Sequence, residues 1–383
     1  PTASIKRDLS IMMKASLGAK IPLIVGSACT AGGHPHILKL KMILLEIARE
    51  NNMSFKLAII QAEQNKDKIL ELFHAGKIKT LSLPGLDHNS ISGANRIVAM
   101  MGAEPFMQAL RNKADIIIAG RASDCAIFSA LPLMRGISPG VAWHAAKILE
   151  CGAASAAHRV TPDCLFAELK YDNFEVEPLG MDMVCTPQSV AAHSLYENSD
   201  PFKLTEPSGV IDISKAEYCA VNDRRVRVTG SRFLNAKKYT FKLEGAKLAG
   251  YQSVFFGGIR DPLIISQIDD WISRLRNKVA DRVIDVFSKK APYYHFNVAL
   301  YGKNAVMGPI EPIKDSTPHE LGLILEVTSH CQETSNTIIS MARHQALHLS
   351  IPEWSGLITG VACRYSPPFL ERGEIYEFIG NSI

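Results

Sequence analysis

Two hydrophobic patterns alternate through the first 155 residues. Short apolar runs fall at residues 22–26 (PLIVG), 55–61 (FKLAIIQ) and 115–119 (DIIIA). Runs this short read as strands buried on both faces. Between them the spacing turns helical. Residues 5–17 look helical, and residues 36–50 carry Ile37, Leu40, Leu44 and Ala48 about one turn apart. A further helix holds Ile69, Leu70 and Phe73. Residues 95–111 read as one or two helices, with Pro105 placed like a first-turn proline. Strand and helix in alternation predict an α/β domain over residues 1–155: a doubly wound, mostly parallel, Rossmann-like sheet.

The pattern then loosens. Residues 156–250 hold polar, proline-containing stretches (EVEPLG, CTPQS, SDPFKLTEPSG) and predict an irregular connecting, substrate-facing region. Two β-rich pieces are expected there, near 226–228 and 239–243. From 251 the signals sharpen. A strand at 251–257 leads to Asp261 as N-cap with Pro262 at the first helical position, and the helix runs to about 288. Strands follow at 294–301 and 320–328, then Ser329 and Gln332 at capping-box spacing open a helix to 348. A last strand falls near 374–379. That order, β-α-β-β-α-β, predicts a ferredoxin-like α+β domain over 251–383.

Composition narrows the function classes. The net charge of +4 is too mild and too evenly spread to imply nucleic acid. Its densest basic run, Arg224, Arg225, Arg227 and Arg232, reads as a solvated strand as readily as a phosphate clamp. The eight cysteines include no C-x-x-C pair, so zinc and iron–sulfur sites are disfavoured. Scattered thiols in a chain of this size suit a reduced, cytoplasmic protein. No apolar run approaches the roughly 18–20 residues that cross a bilayer, and no signal peptide is visible. The expectation is a cytoplasmic protein with no nucleic-acid or membrane partner and no bound metal.

Two strand ends carry candidate chemistry. The first is Gly26-Ser27-Ala28-Cys29-Thr30-Ala31-Gly32-Gly33, between strand and helix. Small residues there let a ligand approach the backbone. The helix N-terminus favours an anion, and Ser27 and Thr30 add hydroxyls. It is neither a Walker A loop nor a clean G-x-G-x-x-G, and a plain tight turn fits the same spacing. His34 and His36 follow. As i, i+2 residues they do not share a metal, and His36 is a candidate for proton transfer. The second is Ala119-Gly120-Arg121-Ala122-Ser123-Asp124, where ligands of open α/β sheets collect. Arg121 can grip a carboxylate or phosphate, while Ser123 and Asp124 can orient a hydroxyl or move a proton. An Asp N-cap with a surface Arg–Asp pair is the plainer alternative. Trp143, His144 and Cys151 on one apolar helix read as core packing. Arg260, at the corner before Asp261, can hold the far end of a ligand or pair with that aspartate.

At GSACTAGG, AGRASD, AWHAAKILECGA, EPL, TPQSVAAHSLYENSDPF, RRVRVTGSRF, KLEGA, GIRDP, MGPIEP and YEF the sequence resembles the acyclic terpene utilisation (AtuA) family, a domain of unknown function. The likeness spans nearly the whole chain. It implies a place beside enzymes that degrade acyclic terpenes through acyl-CoA intermediates. It also implies a glycine-rich, acidic strand–loop segment upstream of Arg7-Asp8-Leu9, and a glycine where this chain has Cys29. Together these predict an enzyme acting on a small carboxylate or acyl-CoA thioester by hydration, dehydration or isomerisation. Gly26, Ser27, Thr30, Gly32, Gly33, Arg121 and Arg260 would bind the anion, and Asp124, His36 and Ser123 would carry the chemistry. No cofactor is expected, a CoA thioester being a candidate substrate. The alternative is a non-catalytic subunit or binding module of an acyl-processing complex; an oligomer is expected in either case.

Overall fold

A computed structural model describes residues 2–82, 85–158, 163–196, 198–288, 291–353 and 359–383. The chain divides into two compact units, residues 1–246 with 378–383, and residues 247–377.

The first unit begins with helix α1 (Thr2–Ala19), strand β1 (Leu23–Val25), α2 (His34–Glu50), β2 (Leu57–Ile60), α3 (Lys66–His74), α4 (His88–Gly93), β3 (Arg96–Met100), α5 (Glu104–Arg111), β4 (Ile116–Ala119), α6 (Ala126–Met134) and α7 (Pro139–Leu149). Three of these strands form a parallel sheet in the order β1-β4-β2, with Ile116 opposite both Leu23 and Leu57. β4 has no exposed residue because its alternating side chains feed two cores. Ile116 and Ile118 pack with Leu9 and Met13 of α1 and Ile37 and Leu44 of α2. Ile117 and Ala119 pack with Phe106 of α5, Ala126 of α6 and Trp143 of α7. The β-branched run therefore reads as a strand covered on both faces. α2 owes its place to a buried stripe, Ile37, Leu40, Ile43, Leu44 and Ile47, that follows the helical repeat.

The region read from sequence as irregular is β-rich. It holds β5 (Leu165–Leu169), β6 (Phe174–Pro178), α8 (Pro187–Ser194), β7 (Lys203–Glu206), β8 (Gly209–Asp212), β9 (Glu217–Ala220), β10 (Val226–Thr229) and β11 (Arg232–Asn235). They make two antiparallel sheets, β5-β6-β10-β9 and β11-β8-β7. Their strands are four or five residues long, with β6 pairing β10 and β8 pairing β11 across long stretches of chain. Local sequence carries little trace of such distant pairing.

A long strand, β12 (Lys242–Ile259), follows; its first five residues pair antiparallel with β3, from Lys242 with Met100 to Ala246 with Arg96. This corrects the helical reading of residues 95–100. Helix α5 starts only at Glu104, with Pro105 in its first turn as expected. The segment Arg-Ile-Val-Ala-Met is drawn into a strand by a partner some 140 residues away.

The second unit continues β12 and adds α9 (Pro262–Ser266), α10 (Ile268–Phe287), β13 (Tyr294–Tyr301), β14 (Leu321–Ser329), α11 (Gln332–His348), β15 (Ala362–Cys363) and β16 (Phe369–Ser382). Strand order is β13-β14-β12-β15, each of these pairs antiparallel, and β16 also pairs β12. β14 alternates strictly, sending Leu321, Leu323, Leu325 and Val327 inward against Trp271 and Leu275 of α10 and Ile338 and Ala342 of α11. Asp261 caps α9 through the Leu263 N–H at 2.8 Å, as its sequence position foretold. Two details differ from expectation. The predicted helix 262–288 breaks at Gln267 into α9 and α10. Ser329 closes β14 instead of capping α11: its hydroxyl binds the Cys331 carbonyl at 2.9 Å, and Cys331 is the N-cap residue. Among the described residues no helix is long and apolar enough to cross a membrane.

Candidate active site

The two small-residue loops predicted from sequence do meet, but they meet each other. The Ser27 N–H donates to the Gly120 carbonyl at 3.0 Å and the Ala28 N–H to the Ala119 carbonyl at 3.0 Å. The Ser27 hydroxyl accepts from the Ala122 N–H at 3.2 Å and from Arg121 Nη1 at 3.3 Å, and donates to the Ala122 carbonyl at 3.1 Å. A Cβ on Gly32 would lie 2.1 Å from the Arg121 nitrogen, and one on Gly120 would lie 2.5 Å from the Gly32 oxygen. Gly32 also has φ +66°. These glycines serve backbone packed on backbone. Ser27, Cys29 and Thr30 all have positive φ, so Cys29 occupies a conformation that glycine adopts more freely.

The donors at the start of α2 are already engaged. The His34 N–H is held by Glu63 Oε2 at 2.9 Å, and Glu63 is clamped by Arg96 at 2.7 Å and 2.9 Å. His36 turns back so that Nδ1 accepts from the Gly33 N–H at 3.1 Å. Thr30 is exposed, and Gly26 lies beneath Ile127 of α6. Arg121 is held by Glu244 at 2.8 Å, with Asp124 at 4.0 Å. Burial works to raise the Glu244 carboxyl, but its bonds to Lys242 and Arg121 outweigh that and lower it. The protein thus supplies its own anions, Glu63 and Glu244, where a ligand's anion was expected. Arg260 is an exposed residue of the second unit.

The loop continues into a cavity of about 260 Å³, and there Ser123 and Asp124 form part of the wall. Its end is fixed by the Ser123 N–H on the Met101 carbonyl at 2.9 Å. Beside them stand Cys125, Lys147 near the end of α7, Glu150 just beyond it, and Glu206 at the end of β7. Lys147 and Glu150 are a buried ion pair one helical turn apart. The Cys125 thiol donates to the other Glu150 oxygen at 3.0 Å. Burial, then the charges of Glu206 and Glu150, push that thiol well above its usual range, so it is a donor and no nucleophile. Burial works to lower Lys147, but Glu150 outweighs it, so the ammonium is held charged.

Glu206 is the exception in this cluster. It is 8% exposed, and its Oε2 has no hydrogen-bond partner. Burial pushes its carboxyl up to about 7, against smaller pulls from the Ser123 hydroxyl and the Cys125 thiol. A carboxyl with this affinity takes and gives a proton near neutrality. Sequence reading found Ser123 and Asp124 but missed Cys125, Lys147, Glu150 and Glu206. Lys147 and Glu150 sit in a helix whose apolar pattern reads as core, and Glu206 falls in the stretch that reads as irregular. The i, i+3 spacing of a lysine and a glutamate inside an apolar helix was the one available signal.

Two other features resolve plainly. His144 is buried with Nδ1 2.7 Å from the Ser231 hydroxyl and Nε2 3.1 Å from that of Ser194, and burial lowers its pKa to about 3. Half of the arginine run is neutralised: Arg225 binds Glu177 and Glu175 and Arg227 binds Glu175, while Arg224 binds the carbonyls of Pro178 and Gly180.

Fold and site together define a mixed α/β protein, one parallel sheet beside several antiparallel ones, whose first unit holds a small polar cavity with a poised carboxyl. The chain belongs to the acyclic terpene utilisation family: the model of the acyclic terpene utilisation family protein AtuA matches residues 11–157 and 177–362. No curated protein and no solved structure matches it.

Proposed function

We propose that the protein is an enzyme that moves protons on a small carboxylate or acyl thioester, in hydration, dehydration or isomerisation, with Glu206 as the proton-transferring group. The observation that carries this is the buried Glu206 carboxyl, one oxygen of which has no hydrogen-bond partner, on a residue that lines the cavity. Asp124, exposed on the same wall, is the second carboxylate, and two carboxyls in contrasting surroundings make a workable acid and base. In dehydration the protonated Glu206 gives its proton to the departing hydroxyl as the C–O bond breaks, and water leaves. Asp124 takes the proton from the neighbouring carbon. Lys147 keeps a positive charge near the developing negative charge. A CoA thioester is a candidate substrate of which this cavity would hold only the acyl end.

The Ser27–Gly33 loop and Arg121 support this site by holding the strand end that bears Ser123 and Asp124. Cys29, Cys125, Cys164, Cys185, Cys219, Cys331 and Cys363 are free thiols, which supports a reducing compartment. In the second unit we read the strand order as the split β-α-β-β-α-β arrangement.

The test is carbon-bound proton exchange in D2O, followed by NMR, over hydroxy acids, unsaturated acids and their CoA esters. Wild-type protein is expected to exchange at least one of them, and Glu206→Gln to slow it by about a hundred- to ten-thousand-fold. Exchange of none, by a folded protein that still binds acyl-processing enzymes, would replace this reading with that of a non-catalytic subunit.

A further inference from the structure

The cavity walls say what end of a molecule they suit. Among the lining residues only Met100 and Leu204 present plain hydrocarbon; the remainder are acids, lysines, hydroxyls, a thiol and an amide. An apolar chain placed there would strip water from these groups and return no hydrogen bond, at roughly 1–3 kcal/mol for each group left unpaired. At about 260 Å³ the space is also below the roughly 300–1,000 Å³ typical of sites that enclose drug-sized ligands. One lining residue has a polar atom without a partner: Glu206 Oε2, on a side chain more than nine-tenths buried. A buried carboxyl oxygen without a partner, on a residue beside a cavity, calls for a hydroxyl from the occupant. Lys203, exposed on the same wall, offers an ammonium.

We infer that the cavity takes the hydroxylated end of a short carboxylic acid, its hydroxyl on Glu206 Oε2 and its carboxylate toward Lys203, and that it excludes a long hydrocarbon chain. This rests on Glu206 as the proton-transferring group and adds the substrate class. A substrate of the family's acyclic, terpenoid kind would therefore be met here after its chain has been shortened, by an enzyme class that delivers hydroxylated or unsaturated short acids. The geometry also couples binding to protonation. A carboxylate brought beside Glu206 raises its proton affinity further, and near pH 7 the free carboxyl is about half ionised. Binding should then take up as much as about half a proton per site.

Calorimetric titration near pH 7, in two buffers of different ionisation heat, tests this with 3-hydroxybutyrate, butyrate and octanoate. The expected result is binding of 3-hydroxybutyrate with proton uptake, butyrate about tenfold weaker or worse for want of the hydroxyl, and octanoate no tighter than butyrate. Glu206→Gln should abolish the buffer dependence, and Glu206→Leu, which removes the hydroxyl's partner, should level the hydroxy acid with butyrate. Lys203→Ala, a surface change that leaves the fold intact, should weaken both short acids alike. Tighter binding of octanoate than of 3-hydroxybutyrate, equal binding of 3-hydroxybutyrate and butyrate, or no binding by any of the three overturns the inference. If the preference for the hydroxy acid holds while Glu206→Gln exchanges protons as fast as wild type, the substrate class stands and the proton-transfer reading falls.

Discussion

Two buried polar clusters share helix α7, and they differ in one respect. His144 has a hydroxyl on each ring nitrogen and is fully enclosed. Glu206, beside Lys147 and Glu150, is nearly as buried but lines a cavity and keeps one oxygen without a partner. Burial shifts both in the direction that removes charge, His144 down to about 3 and Glu206 up to about 7. The histidine is thereby removed from chemistry near neutral pH and the glutamate is brought into it. A perturbed pKa alone does not mark a catalytic group; a perturbed pKa with an unfilled bond, on a residue that lines a cavity, is the stronger sign.

The largest test of that contrast is on activity. Glu206→Gln keeps shape and removes the titration, and should cost about a hundred- to ten-thousand-fold in proton exchange. His144→Asn, by contrast, should leave exchange within a few-fold of wild type if the protein folds. Next comes the ion pair. Glu150→Ala leaves the Lys147 ammonium buried without a partner and should cost roughly 3–5 kcal/mol in denaturant unfolding. Lys147→Met with Glu150→Leu should recover most of that loss, since it removes both charges.

The two clusters also bend the stability–pH curve in opposite directions. Folded His144 stays neutral where the unfolded histidine is charged, so its contribution is complete above pH 6.5 and is lost as pH falls toward 3, by up to roughly 5 kcal/mol. Folded Glu206 keeps its proton where the unfolded carboxyl has lost it, so stability declines as pH rises from 4.5 to about 7, by up to roughly 3 kcal/mol. Glu206→Gln should flatten that decline in unfolding titrations, and His144→Asn should flatten the acid limb. The smallest expected effect is at the loop. Arg121→Ala breaks a half-buried pair with Glu244 and should cost about 1–2 kcal/mol, with binding of short acids nearly unchanged. A large loss of binding without loss of stability would return Arg121 to the site.

Much of the framework was legible before any coordinates. β1, β2, β4, β13 and β14 fall where short apolar or alternating runs predict them, because burial on one or both faces writes itself into local pattern. α5 and α9 begin where proline and capping residues place them, and α2 follows the apolar spacing over 36–50. β3 was hidden, because Ile-Val-Ala-Met suits helix or strand and the first residues of β12 decide between them. Apart from β10, which falls where a β-rich piece was expected near 226–228, the strands of β5–β11 were hidden for the same reason. Of the site, the strand-end rule led to Ser123 and Asp124, and the glycines of the two loops were noticed for a ligand when they serve each other.

By itself the sequence determined the alternation of strand and helix, the capped helix starts, the mild charge and the family likeness, since each is a property of neighbours along the chain or of composition. Only the tertiary structure decided which charges cancel and which group is left over. It sent Arg121 to Glu244 and Arg225 and Arg227 to Glu175 and Glu177, and it drew Ser123, Glu150 and Glu206 to one cavity. Desolvation depends on atoms distant in the chain, and it is what raises Glu206 into the neutral range, against the hydrogen bonds that lower it.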